Sequence, residues 1–282
     1  MIRVEGLTFG YDSSRDAVQD LTLRVDPGQI VGLLGPSGSG KSTTQRILTG
    51  VLSPYRGSAV VLGKELREYG AEYYHHIGVG FELPNHFGKL TAQENLEFFA
   101  SFYRQVRPAR EMLAMVGLDE HRDRRVEQFS KGMKMRLNFI RALQHEPDVL
   151  FLDEPTSGLD PATARVLKDA ILQQRDLGRT ILLTTHNMHD ADELCDRVAF
   201  LVDGVIHTQG APRDLRARAG EQKVTVDYRD GDVVHQRQFE LAGVGHEPEF
   251  LRLLQAAELV ALNTRRPSLE GVFIATTGRR LL

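Results

Sequence analysis

Residues 35–42 read G-P-S-G-S-G-K-S, directly behind the apolar run Ile30–Leu34 and ahead of a helical stretch over 43–52. That order leaves few folds open. A buried strand delivers the chain to a glycine-rich turn whose N–H groups converge on phosphate oxygens, and the following helix turns its positive dipole end to the same anion. Gly35, Pro36, Ser37, Gly38, Ser39, Gly40, Lys41, Ser42 and Thr43 form the candidate nucleotide-binding segment. Its glycines permit positive φ and a close backbone approach. Lys41 is spaced to reach the β- and γ-phosphates, and Ser42 to ligate Mg²⁺ through its hydroxyl.

The 282 residues, 41% apolar and 26% charged, suffice for one large α/β domain with a small appendage. A net charge of −3 gives no global reason to expect nucleic acid as a partner. The single cysteine, Cys195, excludes an internal disulfide framework and a cysteine-rich zinc site, fits a reducing cytosol, and reads as a small packed helix residue. No run approaches the roughly 18 apolar residues of a membrane span, and the N-terminal M-I-R-V-E-G lacks an apolar signal core. The expectation is a chain that does not itself cross a membrane.

Strand-like pieces over 2–9 and 21–25, split by a polar turn at 12–16, predict an antiparallel β element, joined by another β-rich piece at 58–62. Residues 83–145 are helical in pattern, with helices over 91–104, 109–115 and 131–145, the last starting at a Ser130 cap. Apolar strands return at 149–152, 180–184 and 198–202, with a helix at 161–177 between the first two, so parallel strands covered by helices are expected. The texture shifts after Leu215. Val224, Val226 and Tyr228 alternate toward an Asp230-Gly231 turn and a partner strand at 233–241, followed by a helix at 249–259, a strand at 260–264 and a helix at 267–276. The reading is thus a domain over 1–215 with a helical part at about 83–145, and a small α+β domain over 216–282.

The strand at 149–152 ends in Asp153-Glu154. Asp153 suits Mg²⁺, held through water, and Glu154 suits a general base that polarises the attacking water. Two carboxylates at a strand end are ordinarily just solvated. Here Pro155-Thr156-Ser157-Gly158-Leu159-Asp160 follows, a loop with no ordinary explanation.

On these residues the chain resembles the nucleotide-binding subunits of ATP-binding cassette (ABC) transporters over 1–215. The resemblance implies a P-loop NTPase (RecA-like) core with an antiparallel β subdomain and a helical insertion, and an ATPase using ATP and Mg²⁺. Ser157, Gly158, Leu159 and Asp160 match the D-loop, which implies contacts across a dimer. His186, after the strand at 180–184, matches the switch histidine, implying a catalytic hydrogen bond to the γ-phosphate beside Lys41 and Glu154. Tyr11 matches the aromatic that stacks on adenine; Phe9 shares strand parity with Leu7 and is read as core. Phe129-Ser130-Lys131-Gly132-Met133 matches the signature, usually L-S-G-G-Q, with three departures. Ser130, Lys131, Gly132 and Met133 are carried over as contacts to ATP on the other subunit. Lys131 opposes the helix dipole unless an anion stands opposite, so it either faces that γ-phosphate or is a solvated lysine whose small cost is tolerated. Met133 lacks the amide of glutamine. Glu82 occupies the place of the Q-loop glutamine and reads as a metal ligand, with Ser42 and Asp153, or as a conformational reporter at the joint with the helical insertion.

One chain holds one P-loop and one signature, so the resemblance implies a homodimer or heterodimer of cassettes with nucleotide clamped between copies. It also implies a separate integral membrane permease subunit, docking near His86, Phe87, Phe98, Phe99 and Phe102, two of which would belong to the interface. Location would be cytoplasmic, peripheral on the inner face of the membrane through that partner. Residues 264–273 and 277–279 of the tail are similar to daunorubicin-type multidrug exporter ATPases, which implies export of drugs, lipids or polysaccharide. A soluble ABC ATPase of DNA repair or translation is the alternative. Against it stand the missing long coiled-coil insertion between Lys41 and Ser130, the absence of zinc-spaced cysteines, and the single cassette; no nucleic-acid partner is expected. Intact Lys41, Asp153, Glu154 and His186 weigh against a degenerate regulatory cassette.

Overall fold

The computed structural model describes residues 1–12, 15–218, 223–256, 258–265 and 268–279. Part of the expected turn at 12–16, and Arg266 and Pro267 of the tail motif, lie outside the described residues. The chain divides into two compact units, Met1–Ala211 and Pro212–Arg279.

The first unit begins with β1 (Ile2–Gly10), β2 (Asp16–Val25), β3 (Ile30–Leu34), α1 (Lys41–Leu48), β4 (Arg56–Val61), β5 (Lys64–Glu65) and β6 (Ile77–Gly80). Helices α2 (Ala92–Ala100), α3 (Ala109–Met115) and α4 (Lys131–Leu143) follow. The unit is completed by β7 (Val149–Asp153), α5 (Pro161–Asp176), β8 (Thr180–Thr185), α6 (Met188–Leu194), β9 (Arg197–Val202) and β10 (Val205–Gly210).

β1, β2 and β4 form an antiparallel sheet with β5, in the order β2-β1-β4-β5. Its strands bury residues in alternation, Ile2 and Val4 and then, past a register shift, Leu7 and Phe9 on β1, as a sheet covered on one face must. The second sheet has the order β10-β9-β3-β8-β7-β6 and is parallel apart from the β9–β10 pair. Every residue of β3 and of β8 is buried, because this sheet is covered on both faces. Val31, Leu33, Phe151, Leu182 and Leu201 of the second sheet join Ile2, Leu7 and Leu23 of the first in one core. Each such buried side chain stabilises the fold by about 1.5–3 kcal/mol.

Register fixes what this core presents at its edge. Leu34 pairs with Thr185, and Asp153 with Thr184, so the carboxyl ends of β3, β8 and β7 lie side by side. Ligands of parallel sheets bind outside those ends.

In the helical insertion, Thr91 and Glu94 cap α2 reciprocally and Ser130 caps α4. α2 ends at Ala100 rather than continuing to 104, where the Ser101 hydroxyl donates back to Phe98 O.

The second unit contains α7 (Pro212–Arg218), β11 (Lys223–Asp230), β12 (Val233–Glu240), α8 (Pro248–Ala256), β13 (Glu258–Arg265) and α9 (Leu269–Thr277). α7 packs against α9, which places the break in compactness ahead of Leu215. The antiparallel sheet runs β12-β11-β13, with Gly231 turning the first hairpin at φ 61°. Val224, Val226 and Phe250 form its core, with Phe239 edge-on to Phe250. The expected helix to 259 stops at Ala256 because Leu259 pairs with Tyr228 of β11; sheet pairing overrides a helix-compatible sequence. Among the described residues no helix is long and apolar enough to cross a membrane.

Candidate active site

Residues 35–40 leave β3 and turn into α1, whose N-cap Gly40 has φ 105°. Glycine is required there twice over. A Cβ on Gly40 would stand 2.6 Å from Ala17 O, and one on Gly35 only 2.0 Å from Leu201 O. Ser37 and Gly38 are exposed, whereas Ser39 is buried and its N–H donates to Pro36 O. The Lys41 ammonium curls under the loop, donating to Gly35 O at 2.7 Å and Pro36 O at 3.1 Å. Burial pulls the Lys41 pKa down, opposed by the charges of Glu154, Asp153 and Glu82.

Register brings the two carboxylates to this loop. Asp153 Oδ1 accepts from Ser42 Oγ at 3.3 Å and from the Thr184 hydroxyl. Glu154 sits at φ 48°, a left-handed conformation rarely adopted by a residue with a side chain and one that concentrates at functional sites. Its N–H donates to Thr184 O at 3.1 Å, and only 7% of the residue is exposed. Glu154 Oε1 lies 2.8 Å from His186 Nδ1 and 3.9 Å from Lys41 Nζ. The arrangement unites an acceptor for a water proton, a cation and an imidazole at the mouth of an anion-binding loop.

Tyr11 is 60% exposed, with its hydroxyl 3.2 Å from Thr43 Oγ1. Phe9 is buried, as its shared parity with Leu7 suggested, and meets Tyr11 edge-on at 5.2 Å.

The signature and D-loop residues lie together. Ser130 Oγ accepts from Met133 N at 3.2 Å, and a Cβ on Gly132 would stand 2.9 Å from Thr163 Cγ2 on α5. Lys131 Nζ lies 2.2 Å from where a Cβ on Gly158 would be, so the exposed lysine rests against its own D-loop. Ser157 and Leu159 are half-buried, while Asp160 caps α5 by accepting from Thr163 N at 3.0 Å. Met133 is buried in its own chain, and its N–H donates to Ser130 Oγ.

Glu82 is exposed and makes no hydrogen bond or ion pair among the described residues, although its charge is felt at Lys41. Of the five residues named for a partner, Phe99 lines a cavity of about 370 Å³ with Tyr74, Phe81, Tyr103, Arg141 and His145. Phe87, Phe98 and Phe102 form a partly exposed ring cluster on it. His86 turns inward instead, with Nε2 3.0 Å from Lys134 O, and burial lowers its pKa to about 4.

Sequence reasoning missed one buried polar network. Lys168 Nζ lies 2.5 Å from Asp190 Oδ1 and 2.6 Å from Glu193 Oε2, and Thr156 Oγ1 donates to Asp190 Oδ2 at 2.6 Å. This ties the segment after Glu154 to the helix after His186. Its only sequence signal was polar residues at inward positions of α5 and α6. The ammonium also fills the one place among the described residues where His189, Asp190 and Glu193 converge.

The ABC transporter family model matches residues 18–157. A fluoroquinolones export ATP-binding protein of Mycobacterium tuberculosis is 48% identical over 100% of this chain and 94% of its own length. Nod factor export ATP-binding protein I of Burkholderia pseudomallei is 35% identical over 94% of this chain and 93% of its own. Among solved structures, an ATP-binding subunit of an ABC transporter is 30% identical with a TM-score of 0.70, covering 77% of this chain and 92% of that one. A dimeric ATP-binding cassette in a post-hydrolysis state, bound to ADP and Pi, is 26% identical with a TM-score of 0.69, covering 75% and 98%.

Proposed function

The chain belongs to the ABC transporter family of ATP-binding proteins, and we propose that it powers export of drugs, lipids or similar hydrophobic compounds through a separate membrane subunit. As a member it binds ATP and is an ATPase. The export direction rests on relatives named for fluoroquinolone and Nod factor export. Residence on the cytoplasmic face of the membrane follows from the partner.

The observation that carries the mechanism is Glu154 Oε1 within 2.8 Å of His186 Nδ1 and 3.9 Å of Lys41 Nζ. Glu154 takes a proton from water as the water oxygen bonds to the γ-phosphorus; the bond to the β–γ bridging oxygen breaks, and ADP and phosphate result. His186 holds Glu154 and a γ-phosphate oxygen. Lys41 leaves Gly35 O and Pro36 O for the β- and γ-phosphates, and the N–H groups of residues 37–43 surround them. Tyr11 stacks on adenine. Ser42 and Asp153 are the residues that would hold Mg²⁺, and their paired oxygens, a hydroxyl and a carboxylate, suit that hard ion, with Glu82 as a further oxygen. When bound, Mg²⁺ neutralises charge that develops on the phosphates.

Ser130, Gly132 and Lys131 complete the site on a second copy, where Lys131 faces the γ-phosphate, and Ser157 to Asp160 meet across the dimer. ATP therefore closes two cassettes and its hydrolysis releases them, a population shift driven by differential affinity. The groove at Phe99 receives the membrane subunit. Steady-state turnover and sedimentation of Glu154→Gln test the scheme. Turnover falls by roughly 10²-fold or more while the ATP-dependent dimer persists; a strictly monomeric variant with ATP and Mg²⁺ overturns it.

A further inference from the structure

The Glu82 loop is held almost entirely by its backbone. Glu82 and Leu83 point their side chains outward, with Leu83 79% exposed, and Phe81 stands partly exposed at the cavity beside Phe99. Two carbonyls flanking Glu82 are gripped from α4: Asn138 Nδ2 donates to Phe81 O at 2.8 Å, and Arg141 Nη1 donates to Asn85 O at 2.6 Å. The two gripping side chains also bond each other, Arg141 Nη2 donating to Asn138 Oδ1 at 2.8 Å. The Arg141 guanidinium lies 4.6 Å over the Phe99 ring, which fixes its plane. A third tie runs the other way, from His86 Nε2 to Lys134 O at 3.0 Å.

Asn138 is 2% exposed and lies in an apolar stretch with Leu137, Phe139 and Ile140. An amide there must find partners or destabilise the core. A helix needs only an apolar residue at such a place. Three side chains directed across one short joint instead describe a clamp on the position of the loop.

We propose that Asn138 and Arg141 are positioning residues that lock the Glu82 loop to α4, so that Glu82 and the signature end of that helix move as one piece. The helix spans 13 residues, and it rises about 12–17 Å from Ser130 to Asn138 and Arg141. Glu82 faces nucleotide bound to its own chain, whereas Ser130 faces nucleotide bound to the other copy. The clamp thereby joins the two nucleotides of a dimer through one rigid element. This rests on the composite site proposed above. It adds that the loop and the signature are mechanically coupled within each chain.

The test uses the full chain carrying Glu154→Gln, with ATP affinity measured at protein concentrations below dimerisation and dimerisation measured by sedimentation. Asn138→Asp keeps the acceptor for Arg141 but removes the donor to Phe81 O. Its expected result is a fold retained with a lowered melting midpoint, an ATP affinity within twofold of the parent, and dimerisation weakened about fivefold, the scale of one lost hydrogen bond. Arg141→Lys, which loses the rigid planar fork that bonds Asn85 O and Asn138 from two nitrogens, weakens dimerisation similarly. Unchanged dimerisation in both folded variants overturns the clamp, and a parent that never dimerises overturns the composite site instead. Should either variant misfold, spin labels at Leu83→Cys and Lys134→Cys decide, since the native Cys195 is buried. Their separation stays fixed when ATP is added if the clamp holds, and a shift of that distance refutes it.

Discussion

The two faces of the nucleotide site are built differently. On the P-loop face, Lys41 and Glu154 are both buried, and Lys41, Asp153, Glu154 and His186 have polar partners within the chain. On the signature face, Ser130 and Lys131 are exposed. The first face is finished by folding. In the composite site proposed above, the second acts only when another copy arrives, and it is also where the sequence departs from the usual motif. Tightly packed backbone tolerates little drift, whereas an exposed contact can change with its partner.

The largest effect that would sharpen this contrast is Glu154→Gln, with turnover reduced by roughly 10²–10⁴-fold. Because the base is buried and pre-set, the fold should survive the change, and circular dichroism alongside steady-state kinetics checks both. Next comes Gly35→Ala. Its Cβ would lie 2.0 Å from Leu201 O, so calorimetry should register a loss of about 3 kcal/mol or more. A fully stable variant would break the claim that the P-loop face is fixed by backbone contact.

His86 supplies a pH test beside the signature helix. Its folded pKa of about 4 lies below the ordinary value of 6.5, so the unfolded chain binds the extra proton between these limits. Stability is fully present above the ordinary value and is lost as pH falls from 6.5 toward 4, by about 1–3 kcal/mol. His86→Gln, which can still donate to Lys134 O, should flatten that part of the curve in melts at graded pH. Equal slopes would remove His86 from the account. The smallest stability change is expected for Lys131→Ala. Removing a cation from the first turn of α4 should return ~0.3–1 kcal/mol, while turnover falls if the ammonium serves the other copy's phosphate. A variant both more stable and as active would make Lys131 a tolerated surface lysine.

The strand–loop–helix around residues 30–48 was legible because each of its signals is local: an apolar run, glycines, a lysine and a helix start. The C-terminal strand ends were legible for the same reason, and pairing of β3, β8 and β7 then brought Asp153 and His186 to the loop. Burial of Met133 was not legible, since the inward face of α4 is set by tertiary packing. His86 looked like an interface residue until its nitrogen met a carbonyl 48 positions away. The Lys168–Asp190–Thr156 network escaped for a related reason: charged residues on helices read as solvated until a partner helix closes over them. Likewise, Glu249 to Leu259 has a helical pattern throughout, and only pairing with β11 shows why its last residues, Glu258 and Leu259, join a strand.

Tyr11 stands well exposed beside the P-loop, held by Thr43, in a protein that contains no tryptophan at all. Tyr11→Trp would therefore give the molecule a single indole emitter, selectively excitable at the red edge of protein absorbance and placed where the proposed site receives adenine. Its emission would report the coming and going of nucleotide in real time, without dye or modified nucleotide, with the other aromatic side chains dark at that wavelength.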